Sequence, residues 1–415
     1  MQNHRVILYS DLNSYYASVE AMLQPYLRGK AFAVCGNIEE RRGIVLAKSD
    51  LAKRRGVKTG MSIKDALLHC PKLIIVPPHY DEYRKYSLLV RREYEQYTDL
   101  IEAIGWDECA LDVTASRLLF GSGYEIAQNI QKGLREKYGL TASIGVSFCK
   151  IIGKLASDMR KPDAITVIDR EHFEEIVWPL PITDMCFIGY SRATTLMKIG
   201  INTLGDLARA SPEKLYRVFG QDGVLIWRYA NGEDYSAVIH KDFVSPIKSI
   251  GHGSTAVSNL VNDEEVWKCM LDLAQDLGHR LRVCEMAARG VQISVRDSGM
   301  EFKQCQGMLS SATQSPRFLA EKAMELFKRN YRWTKEVRAL CIRVIQVVPK
   351  DTPQQVDFFC DPQKKQAQER LDDTIDALHN KFGNQCIYPA VLMGDHKMPK
   401  SSVQETYMPS PMSRC

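Results

Sequence analysis

No apolar run in the chain approaches the ~20 residues needed to cross a bilayer. The first residues, MQNHRVILYSDL, lack the apolar block and small-residue cleavage site of a secretory leader. Both absences predict a protein that stays inside the cell and off membranes. The twelve cysteines are scattered singly and form no C-x-x-C pair. That pattern argues against a zinc ribbon or a disulfide scaffold and for reduced, mostly buried thiols. A large excess of one charge is also missing: a net +5 permits a polyanionic partner without demanding one. What remains, 45% hydrophobic and 25% charged residues, is the composition of a soluble globular protein. At 415 residues it should divide into several domains.

The most informative stretch is 103-AIGWDECALDVTA-115, with adjacent carboxylates at Asp107 and Glu108. Apolar residues at Ile104, Trp106, Leu111 and Val113 make it read as two short strands. Consecutive residues of a regular strand face opposite ways, so two acids serving one site must sit where one strand turns into the next. Burying both without a cation is costly; such groups pair, protonate or bind metal. Upstream, the apolar run Val6-Ile7-Leu8 leads to Asp11, again a carboxylate at a strand end. The three acids can converge if the strands are sheet neighbours. With no histidine or cysteine nearby, hard oxygen ligands suit Mg²⁺ or Mn²⁺ better than zinc. The plainer alternative is that Asp107 and Glu108 are only turn residues.

Along the chain, 14–30 has helical periodicity with Tyr15, Val19, Met22 and Leu23 on one side, and 31–36 is a short buried strand. The segment 40–62 combines a strand and a helix closed by Gly56, with seven basic residues against two acids. Either that run is a solvated helix face or it grips an anion. Residues 62–103 look helical, followed by a helix over 122–138, a strand over 140–148 and a helix from 149 that ends at Pro162 and carries Lys150, Lys154 and Lys161. Short helices fill 170–238. Gly189 and Gly220 sit in tight connections between helices, about 182–195 and 212–230. These are either helix-hairpin-helix units offering N–H groups to phosphates or parts of a plain bundle. A polar linker, 239–247, precedes 248–350, whose order β-α-β-β-α-β is the split βαβ arrangement. Alternation there turns Val291, Ile293, Val295, Leu340, Ile342 and Val344 inward and leaves Arg296 and Arg343 on a polar, basic face that suits a phosphate backbone. Beyond Lys350, Gln355-Val356-Asp357-Phe358-Phe359 is either a docking peptide or packs on the next helix. The end, 398–415, reads as disordered.

Six stretches occur in a telling order: D-L-N-S-Y-Y-A-S-V-E at 11–20, R-R-G-V-K-T-G-M at 54–61, W-D-E-C-A-L-D-V at 106–113, S-I-G-V-S at 143–147, K-L-A-S-D-M-R-K-P at 154–162 and S-I-G-H-G-S-T at 249–255. With them the chain resembles the Y-family translesion DNA polymerases, the DinB/UmuC group, over about residues 5–350. The resemblance implies an α+β multidomain fold shaped as a right hand. Its parts would be a palm (1–11 and 81–167), small fingers (12–80), a helical thumb (168–238), a little finger (248–350) and a tail (351–415). It implies low-fidelity, template-directed nucleotide addition in translesion synthesis and repair, in a bacterial cytoplasm and as a monomer. Asp11, Asp107 and Glu108 would be catalytic and hold two Mg²⁺ ions, or Mn²⁺ in substitution, with the Leu12 carbonyl as a further ligand. Tyr16 matches the steric gate that crowds a ribose 2′-hydroxyl. Lys161, Lys53 and Tyr15 match positions at the incoming deoxynucleoside triphosphate. Gln355, Asp357, Phe358 and Phe359 fall in a peptide that resembles one binding the sliding clamp. Primer-template DNA is the remaining implied partner.

The chain departs from the family pattern at Asn13, where an acid is frequent, at Asp50, where many relatives have tyrosine, and at Cys186-Phe187-Ile188-Gly189, a looser hairpin than usual. Two rival readings are a non-catalytic relative serving as a DNA-damage scaffold and a palm-domain nucleotidyl cyclase. The first would lack the acids; the second has no use for a thumb, a basic little finger or a clamp peptide.

Overall fold

In the computed structural model, residues 5–37, 43–353, 362–383, 386–394 and 397–399 are described. They fall into two compact units, chiefly 5–35 with 45–244, and 245–399. No helix among them is long and apolar enough to cross a membrane. Every cysteine among them is a free thiol.

The first unit opens with β1 (Ile7–Leu12), buried throughout, and α1 (Tyr15–Leu23). A single 3-10 turn, Pro25–Leu27, follows, because proline cannot continue the helix hydrogen bonds. The buried face of α1 is not the expected apolar stripe. Leu23 is exposed, and Glu20 is fully buried instead. Glu20 is tolerated because Tyr83 donates its hydroxyl to it and His79 and Gln24 complete the shell. Next come β2 (Phe32–Cys35), β3 (Val45–Lys48), α2 (Asp50–Arg54), α3 (Ile63–His69) and β4 (Ile74–Val76), the strands ordered β3-β2-β4. Residues 62–103 are therefore not helical throughout: β4 interrupts them, and β5 (Ile101–Ala103) follows α4 (Tyr80–Tyr94). The β4 run lies between Pro71 and Pro77-Pro78 and is completed by a parallel partner, β2, remote in sequence. Such pairing leaves no local periodicity to read.

Then β6 (Glu108–Asp112), α5 (Arg117–Phe120), α6 (Gly123–Tyr138), β7 (Ala142–Ser147), α7 (Lys150–Met159) and β8 (Ile165–Ile168) complete a sheet of order β5-β6-β1-β7-β8. The helix α6 starts on a capping box between Ser122 and Glu125 and stops at Gly139 in the left-handed region. Central β1 is antiparallel to both neighbours, with Asp11 directly opposite Glu108. Over this sheet α7 lies at backbone contact. A Cβ on Gly145 would stand 1.9 Å from the Gly153 carbonyl oxygen, and one on Gly153 would meet the Tyr9 Cβ at 3.2 Å. That approach delivers the next helix residue, Lys154, to the end of β1.

Residues 173–230 are helical: α8 (Phe173–Val177), α9 (Tyr190–Lys198), α10 (Leu204–Arg209), α11 (Pro212–Phe219) and α12 (Gln221–Ala230). Gly189 and Gly220 stand in tight connections, as expected. The first is preceded by a 3-10 turn, Ile182–Asp184, in place of a full helix, and is the N-cap of α9. Gly220 separates α11 from α12, and its φ of 63° and ψ of −145° suit glycine alone.

The second unit runs β9 (Ser249–Leu260), α13 (Asp263–Val283), β10 (Met286–Asp297), β11 (Phe302–Thr313), α14 (Pro316–Asn330) and β12 (Val337–Pro349), the β-α-β-β-α-β order read from the sequence. The sheet order is β11-β10-β12-β9. Its inward residues Val291, Ile293, Val295, Leu340, Ile342 and Val344 are buried, while Arg296 and Arg343 are exposed. After it, α15 (Pro362–Phe382) is held by the Arg282 fork on Asp376, at 2.6 and 2.9 Å. Met398, inside the stretch expected to be disordered, is buried, and the Lys397 carbonyl accepts from the Val257 N–H. Residues 400–415 and the peptide 355–359 lie outside the described residues.

The helix–sheet contact at Gly145 yields a prediction. Gly145→Ala forces α7 off the sheet and should cost about 1–3 kcal/mol or more. Gly189→Ala, with nothing within 4 Å of its added Cβ, should cost far less. Denaturant unfolding of both variants checks this; equal stabilities would contradict the contact's role.

Candidate active site

The site is assembled by sheet register. The last residues of β1 pair with the first of β6, which sets Asp11 against Glu108. The Leu12 N–H then donates to the Asp107 carbonyl at 2.9 Å, continuing the ladder into the turn. That turn is tight, since Ile104 and Gly105 both donate to the Glu108 carbonyl, at 3.0 and 3.3 Å. The Arg91 guanidinium braces it by donating to the Gly105 carbonyl at 3.1 Å. Two neighbouring acids thus reach one region because one lies in the strand and the other in the turn before it.

Lys154 donates to Asp11 Oδ2 at 2.6 Å and to Glu108 Oε1 at 2.8 Å. Lys161 stands 2.6 Å from the same Asp11 oxygen and 2.7 Å from Asp158 Oδ1. Tyr9 donates its hydroxyl to Glu108 Oε2 at 2.6 Å. Burial drags the Lys154 ammonium towards neutrality, but the Asp11 and Glu108 carboxylates outweigh it and hold its pKa above the usual lysine value. For Glu108, burial opposes ionisation, yet the bonds from Lys154 and Tyr9 pull its pKa below the ordinary range. Asp107 has too little such help, since the Lys154 charge and a main-chain hydrogen bond are outweighed. Burial, and then the negative charges of Asp11 and Glu108, push its pKa up to about 6.

The residues fit a divalent cation. The donors are hard oxygens, and Asp107 is left without enough positive charge around it. As they stand, no three histidine, cysteine or acidic side chains among the described residues converge to ligate an ion. The lysines hold Asp11 and Glu108 instead.

Tyr16 stacks on Tyr83, with ring centroids 4.2 Å apart, and meets Tyr80 and Trp106 edge-on. Burial and the Asp107 charge raise its pKa to about 12, so its hydroxyl stays protonated. Tyr15 is different: its side chain is buried and donates to the Tyr83 carbonyl, which leaves backbone N–H groups at the start of α1 as its available donors. Asn13 accepts from the Ser143 hydroxyl at 2.9 Å and donates to Thr141 Oγ1 at 3.1 Å. An amide can do both at once, which accounts physically for its place there. Asp50 occupies the first turn of α2, where the helix dipole favours an acid.

Lys53 is exposed on α2, and its charge, after burial, lowers the pKa of Lys48. Among the described residues the lysines paired with Asp11 and Glu108 are Lys154 and Lys161, and Lys53 is not one of them. The Gly220 N–H is used within its own turn, donating to the Tyr216 carbonyl at 2.7 Å. On the second unit, Arg343 lies opposite Gln292 and Gly251, and Arg296 stands over the Phe302 ring. Sequence reasoning missed Tyr9, Asp158 and the bridging role of Lys154. A signal existed for the latter two: Lys154, Asp158 and Lys161 are spaced four and three apart, as on one helix face.

Asp107 gives a pH prediction. Its pKa rises from 3.8 to about 6 on folding, so the native state keeps a proton the unfolded chain releases. Stability is therefore lost as pH climbs through that window, by about 3 kcal/mol at most. Asp107→Asn removes the penalty. In chelator at pH 7.5 it should unfold at a higher temperature than the wild type, and the gap should close near pH 4. Identical melting at both pH values would contradict the assignment.

Residues 10–158 match the family described as impB/mucB/samB, and residues 247–358 match that family's C-terminal domain. The chain is 42% identical to DNA polymerase IV of Acetivibrio thermocellus over 94% of this chain and 98% of the relative. It is 35% identical to DNA polymerase IV of Moorella thermoacetica, covering 93% and 95% of the two chains. It is 34% identical to DNA polymerase IV 1 of Bacillus subtilis, covering 92% of each. A solved Y-family DNA polymerase chimera superposes with a TM-score of 0.74 at 22% identity, covering 83% of this chain and 99% of its own.

Proposed function

The chain belongs to the impB/mucB/samB family of Y-family DNA polymerases, and on that premise we propose how its residues carry out translesion synthesis. It is a DNA-directed DNA polymerase that adds nucleotides to a primer end opposite a template. The observation that supports the residue assignment best is the register placing Asp11 against Glu108, with the Leu12 N–H on the Asp107 carbonyl.

The family depends on divalent metal in general, and we assign its ligands to Asp11, Asp107, Glu108 and the Leu12 carbonyl, with two Mg²⁺ ions or Mn²⁺ in their place. When bound, such ions make the primer hydroxyl a better nucleophile and neutralise charge on the triphosphate. The protein's share is positioning and charge, which carry most of the rate in phosphoryl transfer. Lys161, already beside Asp11, and Lys53 grip the triphosphate, joined by main-chain N–H groups of α1 at Tyr15. The Tyr16 ring, held by its stack on Tyr83, blocks a ribose 2′-hydroxyl. Gly189 and Gly220 shape turns that approach the DNA backbone, and Arg296 and Arg343 neutralise phosphates from the open face of the second unit's sheet. In this reading residues 1–11 and 81–167 are the palm, 12–80 the fingers, 168–238 the thumb and 248–350 the little finger. The chain acts as a monomer in the bacterial cytoplasm. Neither the scaffold nor the cyclase reading gains a specific observation.

Primer extension by the purified chain tests this. Wild type should extend with deoxynucleotides; Asp107→Ala should lose extension by about a thousandfold or more while keeping DNA binding, on the scale expected for electrostatic groups at a reacting phosphate. In the same assay Tyr16→Ala should accept ribonucleotides. Wild-type-like extension by the first variant, or unchanged sugar preference in the second, would refute the corresponding role. The peptide Gln355–Phe359 is assigned to a sliding clamp through Gln355, Asp357, Phe358 and Phe359. Its binding should vanish when Phe358 and Phe359 become alanine, and clamp capture unaffected by that change would count against it.

A further inference from the structure

Lys154 has no task in the polymerase reading above, yet it is among the most constrained side chains of the site. Its side chain is only 13% exposed and approaches three acceptors: Asp11 Oδ2 at 2.6 Å, Glu108 Oε1 at 2.8 Å and Asp158 Oδ2 at 3.4 Å. Three acceptors match the three N–H bonds of an ammonium group. Its nitrogen also lies 5.3 Å from the centroid of the Tyr9 ring, whose hydroxyl holds the other Glu108 oxygen. The helix cannot withdraw easily, because Gly153 is in backbone contact with Gly145 one residue earlier. An ammonium is a compact cation, and here it spans two carboxylates drawn from different strands. An ammonium at 2.6 Å takes one lone-pair direction of the Asp11 carboxylate oxygen and repels a divalent ion that would ligate it.

We propose that Lys154 is a built-in counter-cation of the acid cluster: it holds Asp11 and Glu108 together before metal arrives and then competes with the divalent ion for the same oxygens. It thereby sets the ion concentration at which the site fills. Lys154 is a positioning residue, acting through Asp11 and Glu108. The inference rests on the reading of that cluster as a divalent-cation site. A lysine serving only to brace the fold would leave metal affinity unchanged, or weaken it by loosening the carboxylates. A competing cation predicts the opposite sign, since its removal frees Glu108 Oε1, leaves Asp11 Oδ2 to Lys161 alone and takes away a positive charge within bonding distance.

The test is titration of the metal-free protein with Mn²⁺, without nucleotide or DNA, following the free ion by electron paramagnetic resonance. Lys154→Met should bind Mn²⁺ at least ~10-fold more tightly than wild type, a modest fraction of what one charge can exert at an effective dielectric of about 20. Lys154→Arg, which keeps the charge, should stay much closer to wild type than Lys154→Met. Should Lys154→Met not fold, Lys154→Gln carries the same expectation. Equal or weaker binding by the uncharged variant, with binding still lost in Asp107→Ala, would overturn the role of Lys154 alone. Wild-type binding that ignores Asp107→Ala would overturn the metal-site reading and this inference with it.

Discussion

Three carboxylates forced together at the end of one strand repel each other, and much of the first unit can be understood as the means of holding them there. Glu108 is kept ionised by Lys154 and Tyr9, and Asp11 is gripped by two lysines, both only partly exposed. Asp107 alone is left with burial and two like charges against it. A cluster arranged in this way is short of positive charge by design of its geometry. That shortage is what a polymerase site needs if divalent cations are to enter it with the substrate.

The scaffold around the cluster is rigid where rigidity matters. The strand that bears Asp11 is central, hydrogen-bonded on both edges and buried along its length. The helix that bears Lys154 touches the sheet through two glycines, so the spacing between the lysine's backbone and β1 is set by main-chain contact. The tyrosines are held as firmly: Tyr16 on Tyr83, Tyr83 on the buried Glu20, and Glu20 on His79. Glu20 costs desolvation, and its full set of partners is what offsets it.

Much of this was legible in the sequence for physical reasons. Apolar runs ending in acids gave the strand ends, and the need for two adjacent acids to meet placed a turn between β5 and β6. Alternation in 291–296 and 340–347 read the second unit's sheet faces correctly, because one face is buried and the other is not. Illegible features depended on partners distant along the chain. Three-residue β4 exists only through β2, and Glu20 is buried only because Tyr83 lies above it. Lys154 had the spacing of a helix face, but nothing local said that this face would close on β1. The break at Gly220 was legible, because glycine is the residue that tolerates the backbone angles of the turn between α11 and α12.

The account turns on Asp11, Asp107 and Glu108 sharing divalent ions at the point of nucleotide addition. The most direct measurement is a crystal structure with primer-template DNA, an incoming non-hydrolysable deoxynucleotide and Mn²⁺, with the ions located by anomalous scattering. The account predicts two peaks ligated among these three carboxylates, with the Leu12 carbonyl among the ligands and Lys154 moved off Asp11 Oδ2. Manganese bound elsewhere, with Lys154 still bridging Asp11 and Glu108 beside the nucleotide, would contradict it.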